Sequence, residues 1–193
     1  MTIFSAFMLN SENSLHLIML IAAALALGLY IRFGSRNNPQ TRADRLQKEY
    51  RFLSRVVLDG IPDSELVDAV VANMMAGLDP KNPDDYRDIP LQSRGRCAVY
   101  SIWITCCELR AGGIEAYKNG PSGRFAELAA DGFELVGADR CSAALKAVRS
   151  MEKPELEALE EAGRCLEDAI EQEDPLALCR EYIRTNPEEF TDD

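Results

Sequence analysis

Histidine is almost absent from this 193-residue chain, whose only histidine is His16. The chain also has no Cys-x-x-Cys pair, no Gly-rich phosphate loop, no His-Glu-x-x-His motif and no nucleophile elbow. Metal centres, nucleotide-binding loops and triad hydrolases depend on such motifs. We therefore expect no catalytic residue, no metal ion and no cofactor, although a carboxylate or a cysteine could still act in catalysis.

Runs that alternate β-branched and polar residues, which are typical of strands, are also missing. Apolar residues recur instead at steps of three and four from Leu46 onward. We predict an all-α chain, with a single N-terminal transmembrane helix followed by a compact domain of about seven helices. The expected parts are an N-terminal segment 1–34 with the membrane helix at about 15–33, a linker at 35–40, and a helical domain at 41–193 with acidic C-terminal helices.

Basic residues are missing from the first 31 positions, and residues 15–31 carry no formal charge. A helix of that length spans about 25 Å, close to the roughly 30 Å of a hydrocarbon core. A signal peptide and a buried soluble helix are the alternatives, but Glu12 before the apolar run disfavours a signal peptide. The first basic residues, Arg32 and Arg36, follow the span. This order predicts an outside N-terminus and a cytoplasmic domain.

Two small residues in the apolar segment, Ala24 and Gly28, have the four-residue spacing that lets membrane helices pair closely. This spacing predicts a homodimer, although alanine-rich helices produce it often by chance. His16 lies at the start of the segment, where a polar residue at the membrane interface explains it better than a proton relay.

The six cysteines all fall in apolar helical stretches. The adjacent Cys106 and Cys107 point about 100° apart on a helix, so they do not form a chelating pair. We expect buried free thiols that pack as small hydrophobic side chains, in a reducing compartment.

A long uncharged stretch between Cys97 and Glu108 is apolar on all sides of a helix, which predicts a centrally buried helix. Gly112 is expected to end this helix in the left-handed conformation, and Gly113 to allow a close approach of the chain. Further boundary signals follow along the chain. They are Asn119-Gly120-Pro121 for a turn, Ser122 and Asp139 as helix caps, Gly137 as a helix stop, and Pro154 and Pro175 as helix starts.

Several spaced residues around this break form a recognisable pattern. The run is Glu108-x-x-x-Gly112-Gly113-x-x-x-Tyr117-x-Asn119, with Tyr100-x-x-Trp103 before it and Gly137-Ala138 after it. The ending Tyr182–Phe190 adds a second motif. Over roughly residues 90–190 the sequence resembles the DNA-mimic-protein-like domain family, a resemblance that implies binding to a DNA-binding protein.

The break itself suggests a site. A pocket around Gly112 and Gly113 could use Glu108, Tyr117 and Asn119 to bind a ligand or to support a small enzyme. Alternatively, Glu108 or Asn119 could satisfy backbone donors that the break exposes.

The acidic tail is the other candidate site. Residues 151–193 hold 15 acidic and 4 basic side chains, which accounts for the whole net charge of −11. Treated as one helix of 43 residues, the tail would be about 64 Å long with an acid every 4.3 Å or so, comparable with one phosphate per 3.4 Å along a DNA strand. We predict a surface for a basic, DNA-binding protein and no direct binding of nucleic acid; the alternative is a solvated face that keeps the chain soluble. The predicted partner-binding residues are Glu157, Glu160, Glu161, Asp168 and Glu171.

Overall fold

The computed structural model describes residues 39–78 and 86–193. The membrane helix predicted at about 15–33, with its Ala24 and Gly28 spacing, lies outside the described residues. Within the two described ranges, none of the helices combines the length and the apolar character that crossing a membrane requires.

The described residues form eight α-helices, three short 3₁₀ helices and no strand, so the predicted all-α class is confirmed. The first helix begins at Pro39, inside the predicted linker, and residues 46–193 form one compact unit. The α-helices are α1 Pro39–Glu49, α2 Arg55–Gly60, α3 Asp63–Ala76, α4 Arg94–Asn119, α5 Ala126–Val136, α6 Asp139–Ser150, α7 Leu156–Glu173 and α8 Pro175–Thr185. The 3₁₀ helices are Tyr86–Leu91, Pro121–Phe125 and Pro187–Glu189.

Helix α4 is the buried centre of the compact unit, as the uncharged stretch predicted. Helices α3, α5, α7 and α8 all contact it. Its buried hydroxyl groups donate hydrogen bonds along the helix, from Ser101 to the Cys97 carbonyl and from Thr105 to the Ser101 carbonyl, both at 2.7 Å. Because these polar groups have partners, α4 can be buried on several sides without leaving them unsatisfied.

The break in α4 lies at Gly113, which has φ 71° and ψ −174°. The prediction that Gly112 takes the left-handed conformation is wrong, because Gly112 keeps helical angles. Two adjacent glycines can both adopt such angles, so the sequence cannot choose between them. The choice lies in packing: Ile114, directly after the break, meets α7 at Gly163, where an added Cβ would lie 2.6 Å from the isoleucine side chain.

Helix α6 is capped from another helix. Gly137 ends α5, as predicted, and it does so in the left-handed conformation. Asp139 was predicted to cap α6, but the cap position is Ala138 and has no side-chain hydrogen bond. The Glu173 carboxylate, at the end of α7, accepts hydrogen bonds from the backbone N–H groups of Arg140 at 3.0 Å and Cys141 at 2.9 Å.

Candidate functional site

One side of α7 carries the predicted acidic residues, and we call it the acidic face. The opposite side of α7 packs into the core through Leu159, Gly163, Leu166 and Ala169. These buried positions recur at three- and four-residue steps, which directs the intervening acids toward solvent. All five acidic-face residues are exposed: Glu157, Glu160, Glu161, Asp168 and Glu171.

The acidic face is narrow and dense in charge. At about 100° per residue its five acids fall within an arc of roughly 100°, and they extend over about 21 Å of helix axis. Arg164 is the one basic residue of α7, and its guanidinium pairs with Glu161 at 2.5 Å. The other four acids have no ion-pair partner in the part of the chain that the structure describes. The face therefore presents almost uncompensated negative charge.

The tail forms two α-helices, as the predicted helix starts at Pro154 and Pro175 implied, and not the single 43-residue helix that was used to compare charge densities. Helix α7 has 18 residues, about 27 Å, and begins at Leu156, two residues after Pro154. Asp174 ends α7 with φ 42°, and α8 begins directly after it at Pro175, as predicted. The density of acids along the helix is nevertheless close to the predicted one, because the five residues stand roughly 5 Å apart along the axis on average.

The residues around the glycine break make different contacts. Tyr117 is buried, and its hydroxyl lies 3.0 Å from the Thr105 hydroxyl. Burial raises the pKa of Tyr117 above its ordinary value, against a smaller opposite effect of the Thr105 hydrogen bond. Glu108 is half-buried and accepts a hydrogen bond from Ser122, whereas Asn119 is exposed. Ser122, predicted to cap a helix, thus pairs with Glu108 instead.

The aromatic residues of the family pattern belong to the packing of α4. The Tyr100 ring is buried and meets Phe125 edge to face, with 5.5 Å between ring centres. Trp103 is half-buried, and its indole N–H donates to Asp68 of α3 at 3.2 Å. Both side chains therefore join α4 to its neighbours.

The C-terminal motif hydrogen-bonds to the start of α4 and packs against it. The Glu189 carboxylate accepts a hydrogen bond from the Gly95 N–H at 2.5 Å and another from the Tyr182 hydroxyl at 2.6 Å. A Cβ at Gly95 would lie 2.8 Å from both Glu189 and the ring of Phe190. The C-terminal motif thus contacts the start of α4, the helix that carries the first half of the pattern.

The model of the DMP19-like protein family matches residues 92–190, just over half of the chain. The chain belongs to the DMP19-like protein family. The matched region begins just before α4 and ends at Phe190, so it includes the glycine break, the acidic face and the C-terminal motif. Searches of curated proteins and of solved structures returned no match.

A charged cluster that the sequence did not reveal holds the C-terminus of this DMP19-like chain. Arg96 is buried and donates to Asn73 at 2.8 Å and to Asp192 at 2.7 Å. Asp192 also accepts from the Leu53 N–H at 2.7 Å. Burial acts to raise the pKa of Asp192, but these hydrogen bonds outweigh it and hold the pKa below its ordinary value. The only signal in the sequence is an arginine at the border of an apolar run; its partners lie 23 and 96 residues away.

The cavities on the described part of the DMP19-like domain include a larger and a smaller one beside α4. The larger, about 550 Å³, lies between α4, α7 and the start of α8. The smaller, about 260 Å³, is lined by Tyr117, Lys118 and residues of α5 and α6. Glu108 and Asn119 line neither cavity, so neither one brings Glu108, Tyr117 and Asn119 together.

All six cysteines are free thiols, but they are not all buried as expected. Cys107 is half-buried and Cys165 is exposed on α7. Burial raises the pKa of Cys106 to about 12, and it also raises the pKa of Cys141 and Cys179. These three thiols keep their protons at neutral pH.

Within the described residues, no three His, Cys, Asp or Glu side chains are grouped to hold a metal ion.

Proposed function

We propose that this chain is a membrane-anchored binding module whose acidic face engages a basic, DNA-binding protein by imitating the charge of DNA. The observation that carries the proposal is the acidic face, with five exposed acids and one compensating arginine. Membership of the DMP19-like family supports a DNA-mimic, protein-binding role. A DNA-binding protein presents lysine and arginine side chains spaced to meet phosphates, and a dense row of carboxylates offers them comparable targets.

Binding rather than catalysis is the role that the local chemistry favours. The most buried thiols hold their protons, and a thiol needs its thiolate form to act as a nucleophile. The side chains of Glu108 and Tyr117 at the glycine break pair with Ser122 and Thr105, respectively. These pairings support a structural role for the break, and the proposal assigns no catalytic residue.

The membrane anchor in this proposal rests on the uncharged residues 15–31 and on the arginines that follow them. In the proposed topology the N-terminus is outside and the helical domain is in the cytoplasm. A tethered domain meets only partners near the bilayer. We therefore propose that the anchor restricts the choice of DNA-binding partner by position.

The test removes charge from the acidic face and leaves its shape unchanged. The face variant replaces Glu157, Glu160, Glu161, Asp168 and Glu171 by the isosteric amides. The control variant makes the same change in charge at five exposed acids outside α7: Glu49, Asp88, Glu115, Asp131 and Asp139. The full chain is immobilised, and proteins retained from a cytoplasmic extract are identified at increasing salt and with added double-stranded DNA.

We expect wild type and the control variant to retain the same DNA-binding protein, and the face variant to lose it. Retention should fall steeply with salt, because exposed charges are screened over about 8 Å at physiological ionic strength. Added DNA should displace the partner if the two compete for one basic surface. A face variant that keeps the partner with unchanged salt dependence would mean that the acidic face is only a solvated helix side.

A further inference from the structure

The larger cavity adjoins the acidic face, and we call it the α7–α8 cleft. Three elements form it: Cys106, Leu109 and Arg110 come from α4, Glu167, Ile170 and Glu171 from α7, and Asp174, Pro175 and Leu176 from the turn into α8. Its volume of about 550 Å³ is large enough for a long side chain together with part of a backbone. Glu171 belongs to both the cleft and the acidic face, so the two surfaces are continuous.

The charges in the α7–α8 cleft are unbalanced. The lining contains three carboxylates and one guanidinium. The carboxylates are those of Glu167, Glu171 and Asp174, and the guanidinium is that of Arg110. Asp174 already accepts from the Ala177 N–H and lies 3.8 Å from the Arg180 guanidinium. Glu167 and Glu171 have no hydrogen-bond or ion-pair partner among the residues described, and neither does Arg110. Since Glu167 and Glu171 are one helical turn apart, their carboxylates are neighbours on one side of the cleft.

The remaining lining of the cleft is apolar. Leu109, Ile170 and Leu176 come from three different helices and lie beside the two free carboxylates. An arginine or lysine side chain matches this combination of apolar and acidic lining, because its aliphatic stem packs on apolar surface while its charged end reaches polar groups. An anion would meet the excess of carboxylates, and an apolar group would gain nothing from the charges of the exposed Glu167 and Glu171.

We propose that the α7–α8 cleft receives one arginine side chain of the basic partner while the rest of the partner lies along the acidic face. The guanidinium would bridge Glu167 and Glu171, because its planar set of donors can serve two carboxylates at once. The proposal deepens the proposed function and rests on it for the partner. It adds a specific docking point to a face that otherwise attracts any cation.

The test uses the full chain and a hexa-arginine peptide, with a hexa-citrulline peptide as the uncharged control of similar shape. Glu167→Gln removes one carboxylate from the cleft only, and Leu176→Ala removes apolar lining without changing charge. Glu181→Gln, at an exposed acid of α8 outside the cleft, is the matched charge control. Kd is measured by calorimetry, and the methyl signal of Ile170 is followed by NMR. Thermal unfolding establishes that each variant is folded.

We expect hexa-arginine, and not hexa-citrulline, to shift the Ile170 methyl signal. Glu167→Gln should raise Kd about two- to fivefold, the range for one exposed ion pair. Leu176→Ala should raise Kd by a similar factor, and Glu181→Gln by less than about twofold. Equal effects of Glu167→Gln and Glu181→Gln, or an unmoved Ile170 signal, would overturn the proposal.

A further variant separates failure of the cleft from failure of the acidic face. It changes Glu157, Glu160, Glu161 and Asp168 to amides and leaves Glu171 and the cleft intact. Loss of peptide binding in this variant, with no effect of the cleft variants, would overturn the cleft and leave the proposed function standing. Retained peptide binding in this variant, together with weaker binding by the cleft variants, would support the cleft and count against the acidic face.

Discussion

Gly113 is the residue at which the central helix changes direction. Its φ of 71° and ψ of −174° lie in a region that is essentially restricted to glycine. An added Cβ would meet no atom within 4 Å, so the constraint at this position is the backbone conformation and not crowding. The neighbouring Gly112 differs, because a Cβ there would lie 2.7 Å from the Cβ of Ala116.

Gly113→Ala should therefore destabilise the domain by about 1–3 kcal/mol, the range for a non-glycine residue held in such a conformation. The measurement is urea unfolding followed by circular dichroism. Gly60→Ala is the matched control, since Gly60 has no positive φ and a Cβ there would also meet nothing within 4 Å. Equal midpoints for the two variants would show that Gly113 is not under backbone constraint.

Helix α6 shows how one element depends on another. Its first N–H groups donate to Glu173 at the end of α7. Burial acts to raise the pKa of Glu173, but the hydrogen bonds from the Cys141 and Arg140 N–H groups outweigh it and leave the pKa below its ordinary value. The ionised carboxylate therefore contributes stability that is present above the pKa of the unfolded chain, and that is lost as pH falls through the lower folded pKa.

Glu173→Gln should lower the free energy of unfolding by about 1 kcal/mol at pH 7, the usual effect of losing a helix cap. The difference from wild type should shrink as the pH falls from the ordinary pKa of a glutamate toward the lower pKa of Glu173 in the folded chain, because Glu173 then becomes protonated. Unfolding curves at several pH values measure this difference in the free energy of unfolding. Amide exchange at Cys141 reports directly on the start of α6. Glu160→Gln, an exposed acid of the same helix, is the control. A pH-independent difference would contradict a role for the charge.

The charge of the whole molecule is divided along the chain. The acidic surplus lies in residues 151–193, whereas the uncharged residues 15–31 are followed by a group of arginines. The proposed function assigns these two regions different tasks. Under that proposal the anchor would determine where the domain is, and the acidic face would determine what it binds.

A reporter fused after Asp193 should be active if it requires the cytoplasm and inactive if it requires the outside. The full chain should also stay with membranes during alkaline carbonate extraction, and a deletion of residues 15–31 should release it. These results follow from the positive-inside rule and from the length of the apolar segment. A mature protein that lacks the first 31 residues would contradict the anchor and favour a signal peptide.

The sequence alone determined those features that depend on local pattern. The uncharged run after Cys97 predicted the buried central helix, and the three- and four-residue steps of apolar residues in 156–170 predicted that the acids of α7 face outward. Gly137 was identified as a helix stop because glycine is the residue that adopts the left-handed conformation cheaply. Such features repeat within one or two helical turns, so neighbouring residues carry the whole signal.

Only the tertiary structure decided those features that join distant residues. Three such features are the choice of Gly113 over Gly112, the cap that Glu173 supplies to α6, and the pairing of the buried Arg96 with Asn73 and Asp192. All three depend on how elements distant in the chain pack together. The α7–α8 cleft likewise combines residues from positions 106 to 176. Hydrogen bonds and cavities between residues far apart in the chain produce no periodic pattern in the sequence. They depend on three-dimensional distance and not on spacing along the chain.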